Sequence, residues 1–178
     1  VLAHGHVGVE RIVLENHGDI ALFRWQVVNL AVANVDLTTT AGNITANSGV
    51  AAINLSGAGT NEISAGGDIN LAAVTDGAAI TELQISGESI TLAAITLNND
   101  TSNLLDIDLD GAGDSGAKTL TAAGAIAVGQ LTVDGQASDD VMNFGSTVTT
   151  TGSSIAIGTA DTVDFDGNWA AYNSGGIQ

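Results

Sequence analysis

The sequence predicts an all-β protein that forms a short parallel β-solenoid (β-helix). Short apolar/polar alternations, separated by Gly, Asn and Asp, recur from about residue 36 to residue 167. A repeat of roughly 20–35 residues built from short strands is typical of a solenoid. No aromatic residue occurs between residues 26 and 143, whereas Phe and Trp flank that stretch on both sides. This distribution indicates a narrow aliphatic core with larger side chains near its ends.

The first 35 residues differ from the rest, since they hold two of the three cations and all three His residues. Val7–Glu15 and Ile20–Val28 are rich in β-branched residues, and residues 16–19 between them have turn composition. We therefore predict a β-hairpin, followed by a strand or short connection over residues 30–35. A helix over 20–33 is the alternative, which the β-branched residues and missing caps disfavour.

This N-terminal segment, residues 1–35, has two interpretations. It either caps its own solenoid or donates a strand to a neighbouring subunit. For the second role, the candidate assembly residues are the apolar side chains Val7, Val9, Ile12 and Leu14.

The repeat body is predicted over residues 36–167, with a tail over 168–178. Gly and Asn are expected at its corners, where a positive φ is often required. An Ile follows the first Gly of each of five copies, in steps of 25, 21, 36 and 29 residues. These residues are Ile44, Ile69, Ile90, Ile126 and Ile155. A β-sandwich or jelly roll is the alternative fold, because short strands at regular spacing also fit it.

Two repeat phrases carry a family resemblance. Residues 63–71 (ISAGGDINL) and 120–126 (LTAAGAI) resemble the repeats of filamentous-haemagglutinin-type bacterial adhesins. The resemblance covers about residues 36–167. It implies an extracellular right-handed parallel β-helix.

The charge balance restricts the partners. Twenty acidic residues face three basic ones, which gives a net charge of −17. Such a surface repels nucleic acid and anionic membranes. It either favours cations, notably Ca²⁺, or serves only to keep the protein soluble. No apolar run is long enough for a membrane-spanning helix, and the absence of Cys excludes disulfides. Because the chain starts at Val1 rather than Met, either a signal peptide has been removed or the chain is a fragment.

One stretch resembles the first half of an EF-hand calcium loop. It offers carboxylates at loop positions 1, 3, 5 and 9, but Ala117 stands where the loop needs Glu. The candidate ligands are Asp106, Asp108, Asp110 and Asp114. Because Leu105, Ile107 and Leu109 alternate with the acids, a strand with one solvated face is the competing interpretation.

Other metal signals are weaker. Residues 57–63, 135–141 and 158–163 resemble degenerate calcium-binding nonapeptide turns, or are simply Gly/Asp corners. The side chains that could form an N-terminal metal cluster are His4, His6 and His17, with Glu15 and Asp19. A terminal surface strand explains them equally. Asn43, Asn54 and Asn99 match the N-glycosylation sequon.

No motif indicates catalysis. The chain has no nucleophile elbow, no P-loop and no His after residue 17, and Lys118 is the one cation after Arg24. We therefore predict a non-enzymatic structural protein at the cell surface or outside the cell, part of a filament, biofilm matrix or adhesin stalk. Its expected partners are copies of itself. The alternatives are a Ca²⁺-dependent carbohydrate-binding module and a polysaccharide-active β-helix enzyme.

Overall fold

The computed structural model describes most of the chain after Ile20. The described residues are 20–22, 30–33, 36–46, 52–56, 59–76, 80–97, 101–109, 116–135, 139–152, 155–158, 160 and 162–171. They form twenty strands and contain no helix. The strands are β1 (Ile20–Leu22), β2 (Leu30–Ala33), β3 (Asp36–Thr39), β4 (Ile44–Ala46), β5 (Ala52–Ser56), β6 (Thr60–Ala65), β7 (Ile69–Leu71), β8 (Ala73–Asp76), β9 (Glu82–Ser86), β10 (Ser89–Leu92), β11 (Ile95–Thr96), β12 (Leu104–Asp108), β13 (Thr119–Ala122), β14 (Ile126–Val128), β15 (Gln130–Asp134), β16 (Val141–Phe144), β17 (Val148–Thr150), β18 (Ile155–Ile157), β19 (Thr162–Phe165) and β20 (Trp169–Ala171).

The strands form three parallel sheets. Sheet 1 has the order β1-β4-β7-β10-β13-β16-β19, sheet 2 the order β2-β5-β8-β11-β14-β17-β20, and sheet 3 the order β3-β6-β9-β12-β15-β18. Three consecutive strands, one from each sheet, therefore make one coil, and each strand pairs with the strand three places further along the chain. This is a β-solenoid, as predicted, and the sandwich alternative is not favoured because its sheets would be antiparallel.

The core consists of columns of aliphatic side chains that run along the solenoid. In sheet 1 the register aligns Ile69 with Ile90, and Ile90 with Leu120. These three side chains are 1% exposed or less. Because successive side chains of a strand alternate between the two faces, the short apolar/polar pattern directs one column inward and leaves its neighbours outside.

The five Ile residues that follow a Gly in the repeats do not all lie in one sheet. Ile44, Ile69 and Ile90 are register partners in sheet 1. Ile126 instead lies in sheet 2, paired with Ile95, and Ile155 lies in sheet 3, paired with Leu131. The phrase Gly-x-Ile occurs at more than one corner of the coil, so it does not mark one sheet.

The parallel pairing extends beyond the predicted body at both ends. Ile20 pairs with Ile44 near the start of the chain, and Trp169 pairs with Val148 near its end. Parallel strand pairing is therefore described from Ile20 to Ala171. The predicted first hairpin strand, Val7–Glu15, and the assembly residues Val7, Val9, Ile12 and Leu14 lie outside the described residues.

Glycine is required at a corner such as Gly124 for a different reason from the predicted one. Among the described glycines only Gly59 has a positive φ, at 137°. At Gly124 the constraint is the neighbouring coil, because a Cβ there would collide with the carbonyl oxygen of Ala93. The Gly124 N–H donates to that same oxygen at 3.0 Å. Close approach between coils, rather than backbone handedness, therefore explains Gly124.

Candidate functional site

The outer face of sheet 3 carries a cluster of carboxylates. Register places Glu62, Gln84 and Asp106 side by side on successive coils. A second outer column continues from Ser86 through Asp108 to Asp134. Neighbouring strands of a sheet lie about 4.8 Å apart, so each acid has another acid or an amide directly beside it. Glu82 lies two residues before Gln84 on β9, on the same outer face. We call Glu62, Glu82, Asp106, Asp108 and Asp134 the acidic ladder.

The acidic ladder affects the pKa of its central residue, Asp106. The pKa of Asp106 is raised above the ordinary value of 3.8, first by burial and then by the negative charges of Glu82, Asp108 and Asp134. Both effects disfavour the ionised carboxylate. Of the hydrogen bonds nearby, the amide of Gln84 donates to Glu82 Oε1 at 3.2 Å. The ladder therefore places several negative charges close to one another.

A depression of about 170 Å³ lies on this face. Its lining residues are Glu62, Gln84, Ile85, Ser86, Asp106 and Asp108. The volume is below the range of roughly 300–1,000 Å³ that is typical of small-molecule sites. The depression is a shallow recess between outward side chains, and three of its six lining residues are acids.

The structure places the predicted calcium ligands as follows. Asp106 and Asp108 alternate with buried Leu105, Ile107 and Leu109 along and just after β12. This is the strand arrangement that the sequence offered as the competing interpretation. Asp110 and Asp114 lie outside the described residues. Within the described part of the chain, no group of three or more His, Asp or Glu side chains could hold a metal ion.

The remaining metal predictions concern other parts of the chain. His4, His6, His17, Glu15 and Asp19 lie outside the described residues. Of the calcium-like turn phrases, residues 135–141 contain Asp140, which is fully buried. Its Oδ1 accepts a hydrogen bond from the Lys118 N–H at 2.8 Å. Asp140 thus joins two coils at a corner.

Lys118 is the cation that a polysaccharide-active groove would need. It is only 6% exposed, and its Nζ lies 3.7 Å from Glu88 Oε1. It is absent from the lining of the sheet 3 depression. Lys118 therefore contributes to a corner of the solenoid, where its charge is paired within the protein.

Sequence reasoning missed the residues that join the coils. Asn103 is fully buried, and its Oδ1 accepts a hydrogen bond from the Gly129 N–H at 2.6 Å. Asn43 Oδ1 accepts from the Asp68 N–H at 2.7 Å in the same manner. These amides satisfy backbone donors that the parallel ladders leave free at the corners. The Asn content of the repeats was the available signal, but it suggested only turns.

The last coil differs from those before it. Phe144 in β16 is 1% exposed, whereas its register partner Phe165 in β19 is 40% exposed. Their ring centroids lie 5.5 Å apart, and Trp169 meets Phe144 edge-on at 5.1 Å. The ring centroids of Trp169 and Phe165 lie 3.8 Å apart. The predicted aromatic plug therefore exists at this end, and Phe165 presents part of its ring to solvent.

The fold and these surfaces define a β-solenoid with an acidic side and an aromatic end. Comparisons with protein-family models, curated proteins and solved structures found no match to this chain. In the described part of the chain, no helix has the length and hydropathy needed to cross a membrane.

Proposed function

We propose that this protein is a non-enzymatic structural module outside the cell, the subunit of a surface or matrix filament or of an adhesin stalk. The observation that carries the proposal is the uninterrupted stacking of coils. Sheets 1 and 2 each continue through seven parallel strands in register. At about 4.8 Å per strand the described coils form a body roughly 30 Å long.

A solenoid of this kind suits a spacer. Each coil contacts only its neighbours, so length is gained by adding coils without redesigning a core. Backbone hydrogen bonds between coils run along the long axis, as in the 2.9 Å bond from the Ile95 N–H to the Ala125 carbonyl oxygen. Pulling along that axis loads many such bonds and the continuous core at once.

The charge distribution supports the same role. The net charge of −17 and the acidic ladder on sheet 3 repel the sides of neighbouring copies. Association through the ends of the solenoid avoids most of this repulsion. The resemblance of residues 63–71 and 120–126 to filamentous-haemagglutinin-type adhesins remains a prediction that is consistent with this role.

Electron microscopy of the purified protein tests the proposal. We expect rods or filaments whose width is that of one solenoid, in Ca²⁺ and in chelator alike. A chain lacking residues 1–14 shows whether strand donation by Val7, Val9, Ile12 and Leu14 contributes to assembly. A matched control is Ile107→Asp, which places a charge in the core and should abolish ordered assemblies. Monomers under every condition would contradict the proposal.

A further inference from the structure

The end of the last coil is a feature that the proposed structural role does not yet explain. Its core side chains are less covered than those of earlier coils. Ile157, Val163 and Trp169 are only partly buried, although they pack against the core cluster. Among the residues whose side-chain burial is described, Phe165 is the one exposed large hydrophobic side chain.

The backbone of this end is also open along one side. Strands β18, β19 and β20 are the terminal members of sheets 3, 1 and 2. Each pairs with a described strand only on the side of the preceding coil. An edge strand presents N–H and C=O groups that can template another strand. The β19 and β20 edges lie on the last coil, and the β18 edge lies one coil further back, because sheet 3 has six described strands and the other two sheets have seven.

We propose that this end docks on the first coil of a second copy of the chain, so that sheets 1 and 2 continue from one molecule into the next. The inference rests on the proposed structural role, because it states which surfaces join the subunits. Two observations favour a second copy as the partner: continuity of sheets 1 and 2, and the unequal charge of the two ends.

The first observation is that the two ends match in topology. Strands β1, β2 and β3 are the opposite terminal members of the same three sheets. Stacking β1 and β2 of another molecule on β19 and β20 would repeat the parallel pairing found between successive coils in sheets 1 and 2. Sheet 3 has six described strands rather than seven, so β18 and β3 would not pair directly at this joint. A contact between two different surfaces of one chain is heterologous, and it produces open filaments when the rotation does not close a ring.

The second observation is that the ends differ in charge. Residues 20–39, which span β1 to β3, contain one cation, Arg24, and one acid, Asp36. The last coil exposes Asp164 and Asp166, and no cation occurs from residue 160 onward. Docking of the first coil on the last coil therefore avoids the repulsion between acids that docking of two last coils would produce.

A cross-link tests the geometry directly. By continuation of the sheet 2 register, Ala170 of one copy would stand beside Ala31 of the next. The chain has no Cys, so a mixture of Ala170→Cys and Ala31→Cys molecules can form one kind of mixed disulfide. Cα atoms of paired strands lie within the range that a disulfide spans. We expect a disulfide-linked mixed dimer that forms much faster than the dimer of either variant alone.

A substitution tests the surface. Phe165→Asp should abolish assembly, because it places a charge at the joint, while Thr96→Asp, on the exposed outer face of sheet 2, should leave assembly intact. Circular dichroism and thermal melting confirm that both variants are folded. Because the first coil of Phe165→Asp is unchanged, this variant should cap wild-type filaments, and an equimolar mixture should give markedly shorter ones.

Distinct outcomes separate the two proposals. Wild-type filaments that Phe165→Asp neither prevents nor shortens would overturn this inference and leave the structural role standing. A disulfide from Ala170→Cys to Val9→Cys, without one to Ala31→Cys, would show that a donated N-terminal strand occupies the end instead, which overturns docking by the first coil. Wild-type protein that stays monomeric under all conditions would overturn both proposals.

Discussion

The middle coils and the last coil are built from the same strand pattern but have different surroundings. Phe144 and Phe165 show this most clearly, because they are register partners on adjacent coils. The Phe144 side chain is 1% exposed with a coil on each side, and the Phe165 side chain is 40% exposed beyond it. In a solenoid, burial therefore depends on whether another coil follows, and an identical residue is buried in one coil and partly exposed in the next.

Truncating each phenylalanine should give the largest effect and the clearest contrast. We expect Phe144→Ala to lower the free energy of unfolding by about 3–5 kcal/mol, as removal of a fully buried ring does. Phe165→Ala should cost about 1–2 kcal/mol in dilute protein, because part of the ring is already in water. Urea denaturation of both variants measures the difference. Equal losses would show that the last coil is as well covered as the middle ones.

Substitution of an asparagine at a corner should change the free energy of unfolding by an intermediate amount. Asn103→Ala removes the acceptor of the Gly129 N–H in a buried corner and should cost about 1–3 kcal/mol. Asn143→Ala is the matched control, since Asn143 lies on the outer face of sheet 1 and should change the stability by less than about 0.5 kcal/mol. Denaturant midpoints of the two variants distinguish these results. Similar small losses in both would show that the corner bond is dispensable.

A substitution in the acidic ladder should give the smallest change in stability, and it should stabilise the protein rather than destabilise it. Asp106→Asn removes a charge that burial and Glu82, Asp108 and Asp134 disfavour, so it should raise the melting temperature at pH 7. A carboxyl whose pKa is higher in the folded protein costs stability only when it is ionised there. This cost is absent well below the ordinary value of 3.8 and is complete once the pH has passed the raised pKa.

Melting curves from pH 3 to pH 7 therefore check the sign. The gain in melting temperature from Asp106→Asn should grow with pH over this range. Asp68→Asn is the control, because it removes one charge from an exposed position outside the ladder. An equal gain from Asp68→Asn would attribute the effect to net charge instead of to the ladder.

The parts of the fold that the sequence predicted correctly are those that depend on local alternation. Ile44, Ile69 and Ile90 recur after Gly corners, and they do stack in one sheet. Ile126 and Ile155 follow similar phrases but belong to the other two sheets. The error arises because the coil has several corners of similar composition, and because the connections between strands vary in length. Residues 109–118 join β12 to β13, whereas only residues 87–88 join β9 to β10.

The candidate site was predictable to a similar degree. Asp106 and Asp108 attracted attention by their spacing, and the alternation with Leu105 and Ile107 already suggested an outward strand face. Their neighbours Glu62, Gln84 and Asp134 could not be found, because these residues lie between 22 and 44 positions from Asp106 in sequence. They approach it only through the register of β6, β9, β12 and β15.

Local chemistry in the chain sets the short strands, the inward Ile and Leu columns and the excess of negative charge, because alternation and composition act within a few residues of each other. Which column each strand joins, which acids become neighbours and which aromatic ring is left uncovered depend on the lengths of the connections and on the number of coils. Those are properties of the complete set of stacked coils. Phe144 and Phe165 are the same residue type in the same register, and only their positions in the stack separate a core side chain from an exposed one.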